Sequence, residues 1–238
     1  MSTHYESVHS ALLYPDAFHV AAPALTVGRE VWPRQLGVFI CAAQARETEE
    51  AEVAKEDANV DIPLREPPFR TLVAGQFGLV PRWVKSASDA KLRSTKLVNA
   101  RSETVTTSNN FRDAWLAGQR CIVPMIAFME DDWRSGKAVP TRIARVDGKP
   151  MGVAGLWESW TGAEGEVIVS YTLLTVNANS HALMSRYQQP GNEKRMLAIL
   201  NEGAYDAWLS ARPEKAREFM RSYPANWLTA NPVDKSRQ

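Results

Sequence analysis

Three short stretches carry polar side chains where a plain hydrophobic core would not put them. In the first, LVNARSET at 97–104, Asn99 and Arg101 stand two residues apart. An extended chain alternates its side chains, so both fall on one side. An amide beside a guanidinium can hold a phosphate or sugar oxygen; the same pair can equally fix a loop through hydrogen bonds. In the second, AFMEDDW at 127–133, Glu130 ends an apolar run. A carboxylate half removed from water holds its proton more tightly, which suits proton transfer; the alternative is a surface acid at a strand end. The third, YQQPGNEKRM at 187–196, is a polar loop feeding a strand, with Arg195 at the junction. Arg195 is either a second phosphate ligand or the partner of a nearby acid.

Charge and aromatic residues add a fourth candidate. Residues 82–101 carry six bases (Arg82, Lys85, Lys91, Arg93, Lys96, Arg101) against one acid, Asp89. Residues 47–61 carry seven acids against one base, Lys55. The 238-residue chain has a net charge of only +1, so bulk charge does not announce a nucleic-acid binder, whereas a local basic strip suits phosphate contacts at one face. Trp83 lies inside that strip, next to Arg82. An aromatic among cations is a natural platform for an unpaired base; a core tryptophan is the plain alternative. The other tryptophans, at 32, 115, 133, 157, 160, 208 and 227, read as packing residues. The two cysteines, Cys41 and Cys121, lie far apart in apolar runs and read as buried free thiols. No zinc-ligand spacing is present, so no metal and no cofactor are expected.

These groups need a scaffold. With 45% hydrophobic residues, the chain can bury a real core without staples. No stretch has the apolar length of a membrane span, and the start, MSTHYESVHS, lacks a basic region followed by an apolar run. A cytoplasmic protein, a monomer in preference to an oligomer, is the expectation. Residues 5–20 read as a short helical region broken by Pro15. Strands are expected at 37–43, 71–80, 120–123, 126–130, 139–146, 151–158 and 166–176. Turn signals separate the later ones at Ser135 and Gly136, at Asp147 and Gly148, and at 162–165. The acidic, then proline-punctuated stretch 44–68 reads as a mobile excursion within one domain. Asn109 or Asn110 would cap a helix over FRDAWLAG that Gly118 ends. Helices are expected at 201–211 and 213–221, the second opened by Pro213. Strands cluster without regular alternation with helices, which argues for an α+β class; there is no dinucleotide-binding glycine motif and no Walker loop.

In their order and spacing these segments resemble the SRAP (SOS-response-associated peptidase) family. The match runs through GLVPRW at 78–83, NARSET at 99–104, Phe111, Trp115, RCIVP at 120–124, FME at 128–130, AGLWE at 154–158, LTVNAN at 174–179 and the pair Arg195 and Met196. The resemblance implies one domain with a bifurcated, partly barrel-like mixed β-sheet wrapped by helices, and a positive cleft for single-stranded DNA. It implies that an N-terminal cysteine captures the aldehyde of an abasic site as a thiazolidine, that a Glu and a His assist proton transfer, and that an Asn-x-Arg pair holds DNA. By motif match, Asn99, Arg101, Glu130, Thr175 and Arg195 fill retained positions, with Arg82 and Trp83 beside the DNA.

Two positions depart from the pattern. The family begins Met-Cys-Gly-Arg or Met-Cys-Ser-His-Tyr-Glu, whereas this chain reads MSTHYE, with Ser2 in the cysteine's place. Gln188 stands where the family has its histidine; His181, seven residues earlier, is not its equivalent. An alcohol is far less nucleophilic than a thiol at neutral pH. Its ring product would be a readily hydrolysed oxazolidine. Once Met1 is removed, the free α-amine, with a pKa of about 8, can still form a Schiff base that reverses or breaks the strand by β-elimination. Gln188 cannot carry a proton as histidine does. The expected function is abasic-site binding in single-stranded DNA with covalent chemistry at Ser2 weakened or lost. The alternatives are a non-catalytic single-stranded DNA module, and a peptidase working through autoprocessing of Met1 assisted by Glu130 or through Ser2 as nucleophile.

Overall fold

Apolar runs rich in β-branched and aromatic residues build the longest strands. A computed structural model describes residues 4–43 and 69–233; Ser2 and the expected excursion at 44–68 lie outside the described residues. In chain order the strands are β1 (Tyr5–Ser7), β2 (Glu30–Val31), β3 (Leu36–Ala42), β4 (Arg70–Phe77), β5 (Asn99–Arg101), β6 (Arg120–Asp132), β7 (Val139–Arg145), β8 (Met151–Thr161), β9 (Val167–Asn177), β10 (Arg195–Leu197), β11 (Ile199–Leu200) and β12 (Leu228–Pro232). Five of them close a ring. β8 pairs with β9, β9 runs parallel to β4, β4 pairs with β3, and β3 meets β6 through Ile40 opposite Ile122. β6 then returns to β8, with Arg120 opposite Leu156 and Met125 opposite Met151. The remaining strands extend the sheet outward, β5 parallel to β9 and β10 antiparallel to it. The mixed, partly barrel-like α+β architecture implied by the family resemblance is what the chain forms.

Aromatic side chains fill the ring. Phe77 packs within 5.6 Å of Tyr171 and edge-on to Tyr5 at 5.4 Å, and Phe39 lies 5.5 Å from Tyr171. The hydroxyls of Tyr5 and Tyr171 share a hydrogen bond of 2.5 Å in the interior. Gly37 makes room for that pair, since a Cβ there would run into both hydroxyls. Both cysteines are buried free thiols, and burial pushes the Cys41 thiol up to about 11.

The helices are short: α1 (Leu13–Phe18), α2 (Ala87–Ser94), α3 (Arg112–Leu116), α4 (Tyr205–Ser210) and α5 (Pro213–Ala216). Several differ from the sequence expectations. The stretch expected to be helical over 5–20 begins as β1, and Pro15 sits inside α1, in the first turn, where its missing N–H goes unneeded. α2 forms inside the basic strip, with the Ser86 hydroxyl accepting from the Asp89 N–H at 3.2 Å. Neither Asn109 nor Asn110 caps α3, which starts after Phe111 without a side-chain cap; Gly118, at φ +70°, does close that region. The two runs at 120–123 and 126–130 are one strand, because Pro124 is accommodated opposite Gly152. The helices expected at 201–211 and 213–221 reduce to α4 and α5 flanked by single 3₁₀ turns at Glu202–Ala204 and Arg217–Phe219. Among the described residues no helix is long and apolar enough to cross a membrane.

Candidate functional site

Arg195 is the structural centre of the site. β10 brings it opposite Asn177 on β9, and β5 brings Arg101 opposite Thr175 on the other side of the same strand. Arg195 is 2% exposed. Its Nη2 donates to the Thr175 carbonyl at 2.8 Å and to Oγ1 at 3.0 Å, and also to Glu103 Oε2 at 2.7 Å. Its Nη1 donates to Glu103 Oε1 and to Glu193 Oε1, both at 3.0 Å. A buried charge persists only when paired in this way. Burial pushes the Glu103 carboxyl up, and the Arg195 guanidinium together with backbone N–H groups more than offsets it, holding the group below its ordinary range. The Asn177 amide, ahead of Arg195, does the same for Glu193.

A cavity of about 590 Å³ opens where β5 and β6 end and β10 begins. Arg101, Glu130, Gln188 and Arg195 line it. Arg101 is half exposed and donates from Nη1 to Glu193 Oε2 at 2.6 Å. Glu130 is buried on β6, opposite Thr141. The Gln188 side chain is spent on the backbone: Nε2 donates to the Arg195 carbonyl at 2.7 Å, and the Arg195 N–H donates to Oε1 at 3.1 Å. Its φ of +67° is rare for a residue with a side chain, and the clasp on Arg195 holds it there.

Another part of the wall comes from the first described residue. His4 lines the cavity, its ring stacked flat on Trp32 at 3.7 Å with 8° between the planes. It is positioned by β1, whose Tyr5 lies opposite Phe128 on β6, and by the Met129 N–H donating to the His4 carbonyl. Burial lowers the His4 imidazole from its ordinary value, against the pull of Glu30 and Asp131. Sequence reasoning did not single out His4, Trp32 or Glu193. No spacing signals them, because their placement depends on the register of β1 against β6 and on the turn at Gly191, where φ is +83°.

Other sequence candidates lie elsewhere. Asn99 shares β5 with Arg101 and sits opposite Leu173, outside the cavity lining. Arg82 is committed to Glu158 through bonds of 2.6 and 2.9 Å, and to Gln119. Burial raises the Glu158 carboxyl while Arg82 opposes the rise. Trp83 is 41% exposed. It donates from Nε1 to the Asn109 carbonyl at 3.1 Å, and the Arg93 guanidinium lies 4.7 Å above its ring. With Arg112 and Asp113 it lines a separate depression. His181 has a scaffolding position: its Nδ1 accepts from the Leu183 and Met184 N–H groups, which leaves Nε2 to donate to the Tyr223 carbonyl.

Fold and site together define a barrel-based α+β protein with a charged cleft built on paired arginines. The chain belongs to the SOS response associated peptidase (SRAP) family, whose model matches residues 24–236. It is 30% identical over 162 residues to the abasic site processing protein YoqW of Bacillus subtilis, covering 66% of this chain and 67% of that one. Against the abasic site processing protein HMCES of Gallus gallus it is 27% identical over 185 residues, covering 69% of this chain and 53% of the relative, so it spans about half of that longer protein. A crystal structure of a protein from Bordetella bronchiseptica superposes with a TM-score of 0.83 at 38% identity, covering 98% of this chain and 99% of that one.

Proposed function

We propose that this protein binds abasic sites in single-stranded DNA and takes the ring-opened aldehyde as a reversible imine on the α-amine of Ser2, once Met1 is removed. The observation that carries the reading is the cavity itself. Its wall includes His4, two residues beyond Ser2 in the sequence, and the same cavity holds Arg101 for a phosphate and Glu130 for a proton. Arg195, saturated by Thr175, Glu103 and Glu193, fixes the strand junction from which Arg101 reaches out. Asn99 shares β5 with Arg101 and lies outside the cavity lining. Gln188 clasps the loop in place and carries no proton. Trp83 offers a face for a base away from the lesion, and Arg82 steadies that segment through Glu158. The relatives named for abasic site processing support the substrate class. Serine in the thiol's place favours a labile adduct over a durable cross-link.

The test is borohydride trapping on an abasic oligonucleotide, with protein whose intact mass shows Ser2 as the first residue. A covalent adduct mapping to Ser2 is expected. Arg101→Ala is expected to weaken binding across sequences and to reduce the salt slope by about one ion. Salt-sensitive binding without any adduct would leave a non-catalytic DNA module. Binding indifferent to salt would remove both readings.

A further inference from the structure

The cavity holds one imidazole, and no part of the imine reading yet uses it. We propose that His4 is the proton carrier of the reaction, moving protons between the attacking amine and the aldehyde oxygen. The proposal rests on the imine reading above.

Geometry isolates His4 for this task. Gln188 has no titrating group, and its amide is consumed at both ends by the Arg195 backbone. His181 is held by Tyr223, Leu183 and Met184 away from the cavity. The guanidinium of Arg195 is engaged by Glu103, Glu193 and Thr175. Glu130, buried on the neighbouring strand β6, shares the cavity with His4. His4 instead presents an imidazole whose ring is fixed by the stack on Trp32, as a proton carrier requires. The charged groups facing it are Glu30 from β2 and Asp131 from β6, both of which favour its protonated form, while partial burial disfavours it. The net balance lies below the ordinary value, which favours the neutral imidazole that can accept a proton.

The chemistry balances with these groups alone. The neutral amine attacks the aldehyde carbon; a C–N bond forms and the carbonyl π pair moves to oxygen. Imidazole takes one proton from the nitrogen and returns it to that oxygen, giving the carbinolamine. A second proton, drawn from solvent by the imidazole, passes to the hydroxyl. Water leaves as the nitrogen lone pair closes the C=N bond. The sum is amine plus aldehyde plus one proton giving iminium plus water.

The rate of borohydride-trapped adduct formation, followed from pH 5 to 9, tests this in wild type, His4→Gln and His4→Phe. The phenylalanine variant keeps a flat ring for Trp32 and removes only the titrating nitrogens. Both variants are expected to trap at least about tenfold more slowly, in line with the general range for acid–base catalysis, and to lose the acid-side inflection of the profile. Affinity for the oligonucleotide should be unchanged. A His4→Phe rate and profile matching wild type would overturn the proposal while leaving the imine reading intact. So would a loss of rate that only follows a loss of affinity. No adduct from wild type at all would overturn the imine reading and this proposal together.

Discussion

Glu193 holds two arginines at once. Its carboxylate accepts from Arg101 at 2.6 Å and Arg195 at 3.0 Å, and from the Asn177 amide at 2.7 Å. Arg195 has other partners, whereas Arg101 is half exposed and pairs with Glu193. A phosphate reaching Arg101 therefore competes with a resident carboxylate. Glu193→Gln removes the competing charge and keeps the side chain's size and shape. Affinity for single-stranded DNA should rise about two- to fivefold, as expected for an exposed ion pair, and fall more steeply with added salt. Fluorescence anisotropy across a salt series checks it; an unchanged affinity would mean that no phosphate meets Arg101. At this scale the sequence is informative where a residue type is out of place: Glu130 ending an apolar run, Arg195 at a loop–strand junction, Arg101 after a basic strip. The alternative weighed for Arg195, pairing with a nearby acid, is present twice over, in Glu103 and Glu193. His4 and Trp32 gave no such signal. They reach the site through β1 pairing with a strand about 120 positions later and with β2, which precedes Trp32.

Elements hold together through side chains that sequence patterns do not reveal. α3 and α4 are joined by Trp115 and Trp208, 6.2 Å apart, with the buried Arg120 guanidinium 5.7 Å from each ring. Desolvation lowers the pKa of Arg120 from its ordinary value. Trp208 also donates from its indole to the Cys121 carbonyl on β6 at 2.9 Å. Trp208→Phe keeps an aromatic ring but deletes that donor and leaves the carbonyl short of a partner. A loss of about 1–3 kcal/mol is expected, read as a lower urea midpoint. A midpoint matching wild type would mean that the indole bond contributes nothing. The long strands β6 to β9 were legible because Gly136, Gly148 and Gly165 mark their turns, all at positive φ. The short pieces β5, β10, β11 and β12 were not, since two to five residues carry no periodicity of their own. The C-terminal helices were expected too long; Ala211 and Arg212, in extended conformation, separate them.

The whole molecule is organised by its closed ring, and the N-terminal strand is fastened into it. Tyr5 is 1% exposed and Tyr171 is fully buried. Burial pushes both phenols up, so both stay protonated and share one short bond. Tyr5→Phe strands the Tyr171 hydroxyl and should cost about 1–3 kcal/mol. Adding Tyr171→Phe should cost less than the two single changes summed, because the second removes the orphan the first created. Denaturant unfolding of the four proteins completes the cycle, and strict additivity would deny the coupling. Fold class was readable from the clustering of strands. Ring closure was not, because it depends on long-range pairings such as Ile40 with Ile122.

The bond between those two phenols has a consequence at the other end of β1. It is the knot on the inside of the wall that keeps the rope outside taut. The residue that faces the cleft is one position from Tyr5, so the place of His4 in the cavity wall depends on the same interior contact that fastens β1 into the barrel.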